Sequence, residues 1–568
     1  MLTGEQITRD FALAVQSYRA GRVDEAADQC RILLGRAPAH VPAQHLLGTI
    51  ALQRGQPEAA VALLARAAAR RPADPALHNL LGAAYLQLGR QAEAVRSLEA
   101  ALALEPDLAE ARCTLGVALA ALGRADDAIA SFRAALACDP DMAQAHFNLA
   151  GLFVSRGQVP AAMVHYRELV RLEPGNAMAH HLLGRGLCGE GDIDEGVRHF
   201  REAIRLQPGY AEARHNLGMT LAFAGRWEEA LAALEETLRV EPRSPQSHYD
   251  LCLVLLMLGR FEAGWEELEW RWGIEGTRDL RRPFPQPQWR GEDLAGKSLM
   301  LHDEQGLGDT LQFCRYAPLV AGRGGKLYFE VNAALVTLLR RSFAGDRIDF
   351  LPRSPSFPGI DRLPACDYHS PLMSLPRVFG TRLESIPAEI PYLRCDPEKR
   401  RVWSDRLAFL PRPRVGLVWA GRPGYAQDAV RSIALARFAP LAGISGASFL
   451  SLQKGPAAAQ LQTPPPGLTI HDFTADLADF DDTAALVDTL DLVISVDTAV
   501  AHLAGGLGKS VWLLNRRIPD WRWLLDREDS PWYPTLRLFR QPRHGDWDSV
   551  VARVAEGLAA FVGEGRPE

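Results

Sequence analysis

A proline returns every 34 residues through the first half of this chain: Pro38, Pro72, Pro106, Pro140, Pro174, Pro208 and Pro242. Gly21, Gly55, Gly89, Gly123, Gly157, Gly191, Gly225 and Gly259 keep the same interval, as do Gly48, Gly82, Gly116, Gly184 and Gly218, with Ala150 standing in once. Ala26, Ala60, Ala94, Ala128, Ala162 and Ala230 form a further column, with Gly196 and Gly264 at its two other places. Such a period means that each unit is one supersecondary element, able to bury its apolar face only against its neighbours. The columns predict two amphipathic helices per unit. Small Gly and Ala let the helices approach, the mid-unit glycine ends the first helix, and the proline stops the second.

The stretch "HNLLGAAYLQLGRQAEAVRSLEAALALEP" (78–106) resembles the tetratricopeptide repeat nearly throughout, and eight such units run over residues 7–275. The resemblance implies a right-handed superhelix whose concave face binds polypeptide; the alternative is a spacer or dimerisation rod. Asn79, Asn148, Asn216 and His215 are candidate polar groups of that face, either clamping a ligand backbone or bonded locally.

The period stops after "FEAGWEELEWRW" (261–272), whose Trp265 and Trp270 are expected to pack on the second half of the chain. Residues 276–296, containing the Pro-rich "RRPFPQPQWRGEDLAG", read as a linker. Strand-like runs then alternate with helical ones: "KSLMLH", "KLYFEV" and "RIDFLP", and after a restart "RVGLVWAG", "SFLSLQ", "LTIHDF", "LDLVISV" and "SVWLL", with "WDSVVARVAEGLAAFVG" (547–563) as a closing helix. This predicts two doubly wound, Rossmann-like α/β domains, 297–400 and 412–565, behind an α solenoid, with a cleft between the two sheets.

A net charge of -6 gives no reason to expect nucleic acid or an anionic membrane as partner. No apolar run is long enough to span a bilayer, and the first residues lack a signal pattern, so a cytoplasmic protein is expected. The eight cysteines are scattered without a CxxC pair, which suits reduced thiols rather than disulfides or zinc.

Ligands of open α/β sheets sit at the carboxyl ends of the strands, and polar residues gather there in this sequence. They occur in "HDEQGLGDTLQF" (302–313), in "AGRPGYAQDAVRSI" (420–433) with Arg422 and Arg431, at Gln453 and Lys454, and in "SVDTAVAHLAGGLGKS" (495–510). "GGLGKS" is not a phosphate loop: it has Leu503 where a glycine is required and precedes a strand instead of a helix. The acids of "DFDD" (479–482) read as a helix cap rather than a metal motif. A helix opening near Thr498 would offer free N–H groups and a positive dipole end to a diphosphate, with Thr498 and His502 one turn apart.

Residues 295–565 resemble two-domain, GT-B type glycosyltransferases, most closely heptosyltransferase-like ones. The resemblance rests on "QGLGDT" (305–310) after the first strand and "DTAVAHLAGGLGK" (497–509) late in the second domain. Joined to repeats, the chain is also similar to O-linked N-acetylglucosamine transferases and to bacterial repeat-bearing transferases that act on flagellin. The resemblance implies Asp309 as general base, with His302 as the alternative. It implies donor contacts from Gly306, Gly308, Arg422, Arg431, Gln453, Lys454, Asp497, Thr498, Ala499 and His502. Arg431 stands where that family commonly has Lys, and Ala499 where it has Gly, which would narrow the approach of the donor phosphate. No metal or other cofactor is implied, only a nucleotide-sugar substrate. From the residues alone, Asp497 and Asp309 also read as helix caps, His502 as a buried satisfied histidine, and Arg431 as an ion-pair partner. Three functions are open on these readings: a transferase acting on a protein held by the repeats, a catalytically inactive repeat adaptor, and a transferase acting on lipid or polysaccharide.

Overall fold

The computed structural model describes residues 4–275, 277, 281–353, 359–360, 363–424 and 428–563. The chain divides into two compact units, Met1–Asn216 and Leu217–Glu568. The second contains the last repeats together with the α/β region, so the break in the periodicity is not the break in the packing.

Antiparallel helix pairs run from Gly4–Arg19 and Val23–Arg36 through to Pro245–Met257 and Phe261–Leu268. The glycines that separate the helices of each pair, Gly21 to Gly259, all take positive φ, between 64° and 97°. An L side chain is strained in that left-handed turn, which explains the column. The second glycine column has a different cause. A Cβ at Gly48, Gly82, Gly116, Gly184 or Gly218 would sit 2.5–3.0 Å from the packed side chain of Leu64, Leu98, Phe132, Phe200 or Leu234.

A further column is hidden because its residue type changes. Gln44, His78, Arg112, His146, His180, Arg214 and His248 each donate a side-chain N–H to the carbonyl of the proline six residues earlier, at 2.7–3.1 Å. Each satisfies a carbonyl in the turn between one unit's second helix and the next unit's first. Asn216 of the expected groove set bonds across to the preceding repeat, 2.7 Å from His181 Nε2, whose Nδ1 meets the Tyr210 hydroxyl at 2.8 Å.

The α/β region holds two wholly parallel sheets. β1 (Ser298–His302), β2 (Lys326–Val331), β3 (Ile348–Pro352) and β4 (Tyr368–Pro371) lie in the order β3-β2-β1-β4. β5 (Arg414–Val418), β6 (Ser448–Ser451), β7 (Ile470–Asp472), β8 (Leu492–Val496), β9 (Ser510–Asn515) and β10 (Leu536–Arg540) lie in the order β10-β9-β8-β5-β6-β7. Central β5 and β8 are buried at every position and apolar except for Arg414 and Ser495. Two edge strands escape the sequence pattern, polar "YHSP" and alternating "LRLFR". The closing helix is Trp547–Gly563.

The expected linker is instead part of the first sheet's layer. Gln288 bridges β4 in parallel, with the Trp289 N–H donating to the His369 carbonyl (2.8 Å) and the His369 N–H to the Pro287 carbonyl (3.1 Å). Trp289 is fully buried, Arg282 pairs with buried Glu330, and the Phe284 ring stacks on His302 and His369. Prolines are tolerated there because the stretch runs along an edge strand. The last repeat is equally committed to this layer. Trp265 is buried, donates to the Thr381 carbonyl (3.0 Å) and meets Trp521 edge-on, while Arg271 grips Glu304 at 2.7 and 3.0 Å. Trp270, expected to join it, stacks on His248 of its own repeat at 3.9 Å and stays part-exposed.

Among the described residues no helix is long and apolar enough to cross a membrane, and all eight cysteines are free thiols.

Candidate functional site

The chain leaves β1 at His302 and turns at Gly306 into the helix Leu307–Phe313. Gly306, and not Asp309 as the cap reading expects, is the N-cap; Asp309 lies at the third helical position and folds back so that its Oδ2 accepts from the Gly306 N–H at 2.8 Å. Its other oxygen, Oδ1, accepts from Arg522 of the second sheet's layer. Asp309 therefore serves both the helix start and the cluster. His302 is buried, 3.3 Å from His369 and stacked under Phe284; burial, then His369 and Arg282, hold it well below the ordinary histidine range. That places the alternative base inside the layer, away from solvent.

At the end of β8, Thr498 and not Asp497 is the N-cap of the helix Ala499–Gly506. The Thr498 hydroxyl bonds Ser495 (3.0 Å) and does not cap the first N–H groups of that helix. The Asp497 carboxyl lies 3.9 Å from His502 Nε2, and its carbonyl accepts from Arg431 at 3.0 Å. Burial, then the charge of Asp520, push the Asp497 carboxyl above its usual range, against the pull of Arg522 and Arg431. His502 is buried, bonds the Tyr533 hydroxyl through Nδ1 (2.9 Å) and stacks on Trp523. Burial, reinforced by Arg522, holds its pKa down at about 3, so it is a neutral imidazole rather than a phosphate-binding cation.

The two helices meet. A Cβ on Gly308 would stand 3.0 Å from His502 Cδ2 and 3.6 Å from Ala499 Cα, so Gly308, expected as a donor contact, is a packing glycine facing the second half. Gly306 stays exposed at the turn. Gly505 and Gly506, later in the Ala499–Gly506 helix, let other segments come close. Gly505 lies under the Tyr533 ring, and the Gly506 carbonyl accepts from the N–H groups of Tyr392 and Leu393, each at 3.0 Å.

The remaining expected donor contacts separate. Arg431 stays with the cluster, held by Asp428 (3.1 Å) and the Asp497 carbonyl, while Arg422 is exposed and residues 425–427 of that loop lie outside the described ones. Gln453 is buried. Its Oε1 accepts from the N–H groups of Trp419 (3.1 Å) and Ala420 (2.8 Å) and its Nε2 donates to the Lys454 carbonyl, so it clasps the loop after β5 rather than reaching a ligand. Lys454 turns its ammonium to the Leu477 carbonyl. In "DFDD" Asp479 caps its helix as read, accepting from Asp481 and Asp482 N–H groups, but fully buried Asp481 also pairs with Lys399 (2.8 Å) and Arg341 (3.3 Å). Among the described residues no cluster of three or more His, Cys, Asp or Glu is arranged to hold a metal.

Arg522 was hidden in "IPDWRWLL", whose aromatics draw attention as core. It lies on the short turn Trp521–Trp523, buried, and reaches Asp309, Asp520 (2.8 Å) and Gln312 (2.6 Å). Asp520 opposes its own burial through that pairing and is held low. Arg315 is a second buried cation, donating to the Trp532 carbonyl (2.7 Å) and the Tyr392 hydroxyl (3.0 Å), with its guanidinium over the Tyr392 and Tyr533 rings. The available signal was a basic residue inside an apolar or aromatic run, since Arg is almost never buried unpaired.

The tetratricopeptide repeat family model matches residues 45–109, 84–143 and 113–177, and a second model of the same repeat matches 176–241. The chain is 29% identical over 315 residues to Protein FlbA of Caulobacter vibrioides, across 53% of this chain and 52% of that protein. It thus spans about half the length of that relative. Among solved structures it is similar to YrrB, described as a TPR protein with an unusual peptide-binding site (22% identity, TM-score 0.30, 32% of this chain and 95% of that one). It is similar also to MamA (25%, 0.27, 28% and 95%) and to TTC0263 of Thermus thermophilus (25%, 0.28, 32% and 99%). With the helix pairs and glycine columns above, the repeat-family matches identify the first half of the chain as tetratricopeptide repeats, followed by an α/β region of parallel sheets.

Proposed function

We propose that the α/β region is a GT-B type glycosyltransferase that moves a sugar from a nucleotide-sugar donor to an acceptor hydroxyl, on a polypeptide recruited by the repeats. The observation that carries this reading is the meeting of two motifs from different sheets. Gly308 packs on Ala499 and His502, and Asp309 pairs with Arg522. A carboxylate, a helix start that Thr498 does not cap and guanidinium groups then converge at strand ends. Transfer from a nucleotide needs a base at the acceptor and positive charge at the leaving diphosphate. In this reading Asp309 accepts the hydroxyl proton, while the N–H groups after Thr498 and Arg431 face the phosphates. A polypeptide acceptor is supported by the repeats, since such stacks present extended binding surfaces.

One observation favours the inactive adaptor instead: Lys454 and Gln453 are spent on backbone groups and His502 is neutral. Thermal shift with UDP, GDP, CDP, dTDP and ADP and their sugars separates the two. The transferase reading expects one donor to stabilise the protein, and Asp309→Asn to keep that shift while transfer falls about 10²–10⁴-fold. A wild type that no nucleotide stabilises leaves the adaptor.

A further inference from the structure

We propose, resting on the transferase reading, that Arg522 is a ligand of the donor diphosphate and that Asp309 occupies its place until the donor arrives. The guanidinium is buried and shared among three acceptors that are held in different ways. Asp520 is fixed locally, because its Oδ1 also accepts from the Arg522 N–H (3.1 Å). Gln312 is fully buried in the 307–313 helix. Asp309 and Asp520 are both part-exposed, their side chains 21% and 25% accessible, but Asp520 is tied to the backbone of Arg522 itself whereas Asp309 reaches it from a helix 213 positions away. Asp309 is the leg that can be exchanged at least cost. A guanidinium fork accepts phosphate oxygens in the geometry it accepts carboxylate oxygens, so a diphosphate is a direct competitor for that leg.

The backbone around Arg522 is under constraint. Leu524 (φ 48°) and Asp526 (φ 49°) both sit in the left-handed region, which strains a non-glycine residue and concentrates where function over-determines the chain. Arg540 bonds the Trp523 and Arg527 carbonyls and holds this loop in place. The charge to be met is large, and two of the other basic groups expected at the phosphates have protein partners. Arg431 is tied to Asp428 and the Asp497 carbonyl, and Lys454 faces Leu477.

The exchange couples binding to chemistry. Before the donor binds, one Asp309 oxygen is held by Gly306 and the other by Arg522. Once phosphate oxygens take Arg522, that second oxygen is released to accept the acceptor's proton. The acceptor oxygen then bonds the anomeric carbon, the bond from that carbon to the phosphate oxygen breaks, and its electron pair leaves with the nucleoside diphosphate, whose added charge Arg522 meets. The base is available only when a leaving group is present.

The test is calorimetric titration of inorganic pyrophosphate and of UDP, GDP, CDP, dTDP and ADP into the full chain and its variants. Asp309→Asn removes the competing charge and keeps an acceptor for the Gly306 N–H, so it should bind the preferred diphosphate about three- to fivefold more tightly, the worth of a part-exposed ion pair. Arg522→Gln should weaken it at least tenfold, and the double variant should match Arg522→Gln, with no gain from the added Asp309→Asn change. Arg522→Lys, which keeps the charge without the fork, should fall between. Unchanged or weaker binding in Asp309→Asn overturns the exchange, and that result does not depend on Arg522→Gln folding. Wild-type binding that survives intact in Arg522→Gln overturns the ligand assignment while leaving the transferase reading standing. If no diphosphate binds either the wild type or Asp309→Asn, both fall together.

Discussion

The repeats and the α/β region answer their polar groups in opposite ways. In the repeats the partner is local: a side chain at 44, 78 or 112 bonds the proline carbonyl six residues back, and the same bond returns 34 residues later. In the α/β region the partners are remote. Arg522 and Asp309 are 213 positions apart, Arg315 and Trp532 217, Arg341 and Asp481 140. A local rung can be lost singly, because what it bonds stays near water. A remote, buried pair cannot, because removing one member leaves the other charged and desolvated.

The sharpest way to break that contrast is Arg271→Ala. Its loss strands Glu304 and Glu269 in the layer beneath the last repeat, and about 3–5 kcal/mol should disappear from the unfolding free energy. A loss below about 1 kcal/mol, measured by urea titration, would mean that the long-range pairs are no more coupled than the rungs.

Acid should act on the same region. His302 and His502 are held low, His502 at about 3, and His369 is held at about 4 by burial and by Arg281 and Arg282. Each takes up a proton on unfolding, so its contribution is complete above the ordinary value near 6.5 and is lost as pH falls towards the folded value, at about 1.4 kcal/mol per pH unit for each proton. Asp303, raised by burial to about 6, runs the other way, losing its contribution as pH rises from 3.8 to 6. Asp497, also raised, by burial and then Asp520, acts in the same sense as Asp303, so three histidines against two carboxyls should give net destabilisation as pH falls from 6.5 to 4, and His502→Gln should remove about one proton from that slope. Urea midpoints flat across this range would contradict the neutral, buried histidines.

Glycines offer a finer comparison. Gly505→Ala would drive a Cβ to 2.5 Å from the Tyr533 ring, an overpacking worth about 1–3 kcal/mol. Gly89→Ala meets open space and suffers only its positive φ of 68°, about 1 kcal/mol. The smallest effect belongs to a single rung. His78→Ala, at an exposed hydrogen bond, should cost at most about 0.5–1 kcal/mol by thermal melting. A larger loss would show that the rungs act together.

The sequence by itself determined the repeats, the alternation of strands and helices after them, and the strand ends at which to look. Each rests on short-range causes: a left-handed glycine, a period of apolar positions, a helix that must start where a strand stops. Even the Asp479 cap was readable, because a cap bonds residues two or three places along, whereas Asp309 proved to sit three places inside its helix with Gly306 as the cap. Tertiary structure alone decided which cation meets which acid. Arg522 faces Asp309 because two chain segments from different sheets pack together, and no local pattern in "IPDWRWLL" encodes that meeting. It also decided that Gln453 and Lys454 serve the backbone, that "RRPFPQPQW" lines an edge strand instead of linking domains, and that His502 is neutral. The reason is common to all of them. Burial and charge pairing are properties of neighbours in space, and a sequence states only neighbours along the chain.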